Sequence, residues 1–172
     1  MIKILASKFA KTIQVNKLLF LFSLFWFLGL MLGMYSAASM YNSHVPLIID
    51  AVSKRITSLF QLLLVVFFPW IFSLLLYRIP TKLPFMLLVT AKAFTFSFTA
   101  YLVLLTFSAA GWLVRYLLQF SASMSVLAYL RYWICCVCNC VTHKIIVQTA
   151  VFLIVVVCID FWIISPYLFS LF

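Results

Sequence analysis

The chain contains no glutamate and only two aspartates, Asp50 and Asp160, beside two histidines, His44 and His143. Acid–base catalysis needs at least two ionisable groups held in contrasting environments at one place. So small a supply offers no nucleophile–base–acid constellation, and the sequence predicts no enzyme. Glycine is nearly as scarce, with three residues in 172. No phosphate-cradling loop or dinucleotide fingerprint can be written with them, so no nucleotide cofactor is expected. Charge of either sign is low: 8% of residues are Asp, Glu, Lys or Arg. A soluble domain carries about a quarter, which excludes water as the main solvent of this fold.

Apolar residues fill the space that charge leaves, at 68% of the chain, with a mean hydropathy of +1.28. The expected class is all-α, a polytopic integral membrane protein with about five transmembrane helices in a single membrane domain, 1–172. A net charge of +10 could suggest nucleic acid. The Lys and Arg residues are instead scattered at the ends of apolar runs with no basic stripe. That distribution fits anchoring at one membrane face.

The predicted spans are about 18–38, 57–77, 83–107, 110–134 and 145–167, each near the ~20 residues that cross a hydrocarbon core. A basic start before the first run also reads as a signal peptide. The run is long for that, and Ser36-Ala-Ala-Ser39 is a poor cleavage site. Pro69 interrupts the second span and removes a backbone donor there. The fourth is diluted by Arg115, Gln119 and the Ser121–Ser125 patch. If it re-entered instead of crossing, four spans would remain.

With five, an inside N-terminus collects Lys3, Lys8, Lys11, Lys17, Arg78, Lys82, Arg131 and Lys144 on one side, and leaves Lys54 and Arg55 on the other. The positive-inside rule then predicts a multi-pass cell-membrane protein with N-terminus cytoplasmic and C-terminus outside. Between spans one and two, Pro46 precedes Leu47, Ile48, Ala51, Val52 and Ile56 at helical spacing. Two readings stand: a short amphipathic helix on the outer surface, or a loop leading into span two.

Four charged residues fall inside the predicted spans: Arg131 near the inner end of the fourth, and Lys92, Arg115 and Asp160. Lys92 lies nine residues past Leu83, about 14 Å deep at 1.5 Å per residue, near the midplane, where an unpaired ammonium is costly. It either lines a bundle interior or subunit interface, or bonds to neighbouring hydroxyls such as Thr95 and Thr99. Arg115 and Asp160 fall at similar heights near the opposite face and form the natural ion pair. Gly29 and Gly33 form a Gly-x-x-x-Gly ridge, extended by Ala37, that permits close helix contact within or between chains.

Cys135, Cys136, Cys138, Cys140 and His143 could together hold a metal, although the usual paired Cys-x-x-Cys arms are missing. Small apolar thiols at a helix end are the plainer reading, and no metal is predicted. Reducing conditions on the inner side would keep these thiols free.

The basic N-terminus before Phe25-Trp-Phe-Leu-Gly-Leu-Met-Leu-Gly33, the segment Ala91-Lys-Ala-Phe-Thr-Phe-Ser-Phe98, and Phe107-Ser-Ala-Ala-Gly-Trp-Leu-Val-Arg115 occur in that order. In this order and spacing they resemble the stage II sporulation protein M family, from about Leu18 onward. Ala93 stands where that family's Lys-Gly-Phe segment has glycine. The resemblance implies a membrane scaffold or recruitment protein of a cell-wall remodelling assembly of the sporulation-engulfment type. Its partners would be the lipid bilayer and other membrane or cell-wall-associated proteins, with no nucleic acid, and a homo-oligomer is compatible. The alternative is a membrane transport component, a permease or substrate-binding subunit, with Lys92 in the helix-bundle interior.

Overall fold

A computed structural model of the chain describes the backbone of residues 2–53, 59–79, 81–107 and 112–166, with side chains placed over 12–41, 59–60, 62–79, 81–107 and 113–166. All of its regular elements are helical: α1 (Ile2–Ser53), α2 (Leu59–Tyr77), α3 (Leu83–Thr106), α4 (Trp112–Val137) and α5 (His143–Ile159), the last continuing into a π-helical turn, Asp160–Ile164. Four helical stretches among the described residues are long and apolar enough to cross a membrane: Thr12–Tyr41, Leu83–Thr106, Leu113–Val137 and His143–Ile164.

One expectation is met and one changes here. The fourth stretch, read as the most diluted, is an unbroken helix of 26 residues, about 39 Å long. Its serines are no obstacle because Ser121 and Ser125 are buried, and Ser125 donates back to the Ala122 carbonyl at 3.0 Å. α2 is a helix of 19 residues, Leu59–Tyr77, about 28 Å long, and its apolar stretch among the described residues is Leu62–Tyr77. The segment after Tyr41 differs from both readings given it. Through Ser53 the backbone is neither a loop nor a separate surface helix but the continuation of α1, which is 52 residues long. The side chains of that segment, Lys54, Arg55, residues 108–111 and the tail beyond Pro166 lie outside the described residues.

Cross-helix contacts set the directions. Thr90 Oγ1 donates to the Phe25 carbonyl at 3.2 Å, and the Tyr41 hydroxyl donates to the Leu105 carbonyl at 3.2 Å. Residue numbers rise together along this pair, so α1 and α3 are parallel. The reverse holds for α3 and α4, where Phe85 meets Trp133 and Gln119 reaches the Thr99 carbonyl. Arg131 on α4 likewise meets Gln148 on α5. Parallel α1 and α3 require the chain to return between them, and α2 is the element available to do it.

The glycine ridge explains why α1 and α3 lie so close. A Cβ on Gly29 would run into the Thr90 carbonyl and come within 2.7 Å of the Ala93 Cβ. On Gly33 it would collide with Ser97 Oγ and the Phe94 carbonyl. Ala37 extends the ridge and is fully buried. Both glycines therefore act within the chain, letting two backbones approach where larger residues would hold them apart.

Candidate functional site

The bundle interior is aromatic and is assembled from four helices. Trp133 of α4 stacks on Tyr129 at 5.4 Å between centroids, and meets Trp26 of α1 and Phe85 of α3 edge-on at 6.4 and 6.3 Å. Trp70 of α2 meets Tyr132 at 6.4 Å. These offset and edge-on geometries are the ones that ring quadrupoles favour. Tyr129, Tyr132 and Trp133 are completely buried. Trp70 Nε1, Trp133 Nε1 and the Tyr132 hydroxyl have no hydrogen-bond partner among the described residues. Shape and ring contact dominate at these three side chains.

Lys92 is placed on that aromatic column. Its ammonium lies over the Tyr129 ring, 5.3 Å from the centroid. The hydroxyls of Thr95 and Thr99, offered from sequence as its neighbours, serve α3 itself: Thr95 donates to the Lys92 carbonyl at 3.0 Å and Thr99 to the Thr95 carbonyl at 2.9 Å. An i−3 or i−4 carbonyl is always within reach of a helical threonine.

Tyr129 is held from the other end as well, because its hydroxyl donates to the Val66 carbonyl of α2. Pro69 cannot donate to the carbonyl four residues before it, at Val65. The Tyr129 bond goes to the next carbonyl, Val66, and so ties α4 to α2 beside that interruption without replacing the missing donor.

Arg115 and Asp160 reach the same end of the bundle. Val114 and Leu118, flanking Arg115, and Ile159 and Ile164, flanking Asp160, share one apolar cluster with Val103. Asp160 is buried, at 3% exposure. It opens the π-helical turn, and its own N–H is shared between the Val156 and Val157 carbonyls. Such a wide turn inserts an extra residue and re-aims the side chains around it.

The cysteine cluster is the C-cap of α4. Asn139 takes a left-handed φ of 52°. Cys140 N–H bonds to the Cys135 carbonyl at 2.9 Å and Asn139 N–H to the Cys136 carbonyl at 3.3 Å, the paired bonds of a Schellman ending. Thr142 then caps α5 by accepting from Ile145 N–H at 3.4 Å. Cys136 is buried and Cys140 exposed, and burial together with the neighbouring Cys140 pushes the Cys138 thiol up. Among the described residues no group of three or more His, Cys, Asp or Glu is arranged to hold a metal ion. The sequence signal for this ending was the asparagine, one of the few residues that tolerate the left-handed region, and it was missed beside the thiols.

The last feature is a groove between α4 and α5, about 620 Å³, with Arg131 and Gln148 at its head. Sequence reading had placed Arg131 only in the charge tally. No known protein family, curated protein or solved structure matches this chain.

Proposed function

We propose that this protein is a membrane scaffold that crosses the bilayer five times, with α2 as the return pass between parallel α1 and α3. The observation that carries the scaffold reading is α1. It runs from Ile2 to Ser53, about 78 Å at 1.5 Å per residue, against a hydrocarbon core of ~30 Å. The apolar run within it, about residues 18–38 of the sequence, needs only part of that length, so helix continues past it toward both ends. Rigid helix outside the bilayer is a handle for other proteins.

The use of Lys92 agrees with this reading. A cation of α3 laid on a buried ring of α4 ties the two helices together, where a transport path needs it turned to water or substrate. The resemblance to the stage II sporulation protein M family supplies the kind of assembly, wall remodelling, and the distribution of Lys and Arg supplies the orientation, with the N-terminus on the cytoplasmic side and the C-terminus outside.

Affinity capture of the tagged full-length chain from mild detergent tests the proposal. A co-purifying wall hydrolase is the expected result. A nucleotide-hydrolysing subunit in its place would favour the transport alternative. Topology is tested separately by tag accessibility, and both ends on one side of the membrane would overturn the five-pass arrangement.

A further inference from the structure

We propose that the groove between α4 and α5 is a binding site for an anionic phospholipid, with its phosphate on Arg131 and an acyl chain along the groove. The first argument is charge. The end of the bundle that carries the α2–α3 and α4–α5 connections holds Arg78, Lys82, Arg131 and Lys144. The two aspartates of the chain are far from it. Asp160 lies twelve residues beyond Gln148, about 18 Å along the helix, and Asp50 lies 24 residues beyond Trp26, about 36 Å along α1. Among the described residues no acidic side chain lies beside these cations.

Their surroundings differ. Lys82 lies over the Tyr77 ring at 5.0 Å. Arg131 is exposed and held by a neutral group: its Nη2 donates to Gln148 Oε1 at 2.9 Å. This contact fixes the guanidinium at the head of the groove while leaving most of its donors available. Lys144 stands one turn before Gln148 on α5, so two cations flank the same amide.

Shape is the second argument. Below Arg131 the groove is walled by Leu127, Ala128, Val151, Phe152 and Val155. From Gln148 to Val155 it follows about 10 Å of α5. Arg131 lies six residues before the end of α4, about 9 Å from the connection, within reach of the headgroup layer for a side chain that snorkels. A planar guanidinium takes a phosphate through two parallel N–H donors. The ammonium of a zwitterionic headgroup would be brought against Lys144, so a net-negative headgroup is preferred. Basic pockets between membrane helices are where such lipids are held. The site is independent of the scaffold role.

Mass spectrometry of the intact, detergent-solubilised chain decides the matter, with phosphatidylglycerol and phosphatidylcholine of matched acyl chains as probes. Wild type is expected to retain phosphatidylglycerol with about tenfold preference, in keeping with charge-assisted bonding to one guanidinium. Arg131→Gln should reduce that preference to roughly twofold, and Arg131→Lys should keep part of it. Val151→Trp, which fills the groove at an exposed position, should weaken retention of both lipids while leaving Arg131 in place. Equal retention of the two lipids by wild type would overturn the proposal, as would indifference to Val151→Trp. Inorganic phosphate displacing the lipid at millimolar concentration would also overturn it, since the acyl chain would then contribute nothing. If Arg131→Gln fails to fold, the wild-type comparison and Val151→Trp decide alone.

Discussion

The Lys92 ammonium rests on the face of Tyr129, 5.3 Å from the ring centroid, and Tyr129 in turn bonds to α2 through its hydroxyl. One aromatic side chain therefore connects α2, α3 and α4. A desolvated cation–π contact is worth about 2 kcal/mol, comparable with the several kcal/mol that placing a lysine in a spanning helix costs.

Lys92→Met removes the attraction and the cost together, so stability should change by only about 1 kcal/mol in either direction. Tyr129→Leu removes the ring and keeps the ammonium, and is expected to cost about 3–5 kcal/mol. Tyr129→Phe, losing one hydrogen bond, should cost about 1 kcal/mol. Thermal unfolding of the three variants in one detergent compares them. Wholesale loss of folded protein on Lys92→Met would show that the ammonium has a partner stronger than a ring.

Gly33→Ala should separate α1 from α3, because its methyl meets Ser97 Oγ and the Phe94 carbonyl. A cost of about 2–3 kcal/mol is expected, as for overpacking in a tight core. Ser97→Ala combined with it should restore part of the loss by clearing the nearer atom, but not all, since the backbone oxygen remains. A double-mutant cycle read by unfolding measures that coupling. Strict additivity would show that the two residues do not meet.

Trp133 is buried without a hydrogen-bond partner on Nε1. Trp133→Phe loses ring volume but also removes an orphaned donor, so it should be milder than its size suggests, about 1–2 kcal/mol. Trp133→Ala should cost about 3–5 kcal/mol. Similar losses for both would mean that the indole nitrogen has a partner.

Asn139 carries the left-handed residue of the α4 ending. Asn139→Gly should be neutral or slightly stabilising, whereas Asn139→Val should cost about 1–2 kcal/mol through strain at a β-branched residue. Calorimetric or optical melting distinguishes them, and equal stability of the two would remove the Schellman account.

Thiol labelling of the native chain should mark Cys140 first and leave Cys136 unmarked, following their exposure. Because Cys138 is pushed up, its thiolate fraction stays small through the ordinary thiol range, and its labelling rate should keep climbing as pH rises beyond that range. A Cys138 rate that levels off near pH 8.5, the usual thiol value, would contradict that direction.

Much of the architecture was legible in the residues. Apolar runs longer than a bilayer needs mark α1, α3 and α5 whatever surrounds them, because transfer into lipid sums over neighbouring residues. The Gly29/Gly33 spacing marked a close helix approach, and Thr142 before an apolar run is a cap by its own chemistry. The same local sum left α4 the most diluted of the predicted spans. It counted the serines as polar, although each can bond to a carbonyl of its own helix. It also ended the first helix too early, since polar residues after Tyr41 say that lipid stops there and do not say that the helix does.

Sequence alone determined the solvent of this protein: few charges, no glutamate and long apolar runs leave a helical membrane chain as the reading, and hydropathy needs no knowledge of neighbours. Tertiary structure decided what the exceptional residues do. Lys92 meets Tyr129, thirty-seven positions away, and Gly33 meets Ser97. Arg131 heads a groove that exists only once α4 and α5 lie side by side. A cation's partner in lipid depends on which faces turn inward, and that follows from how several helices pack at once.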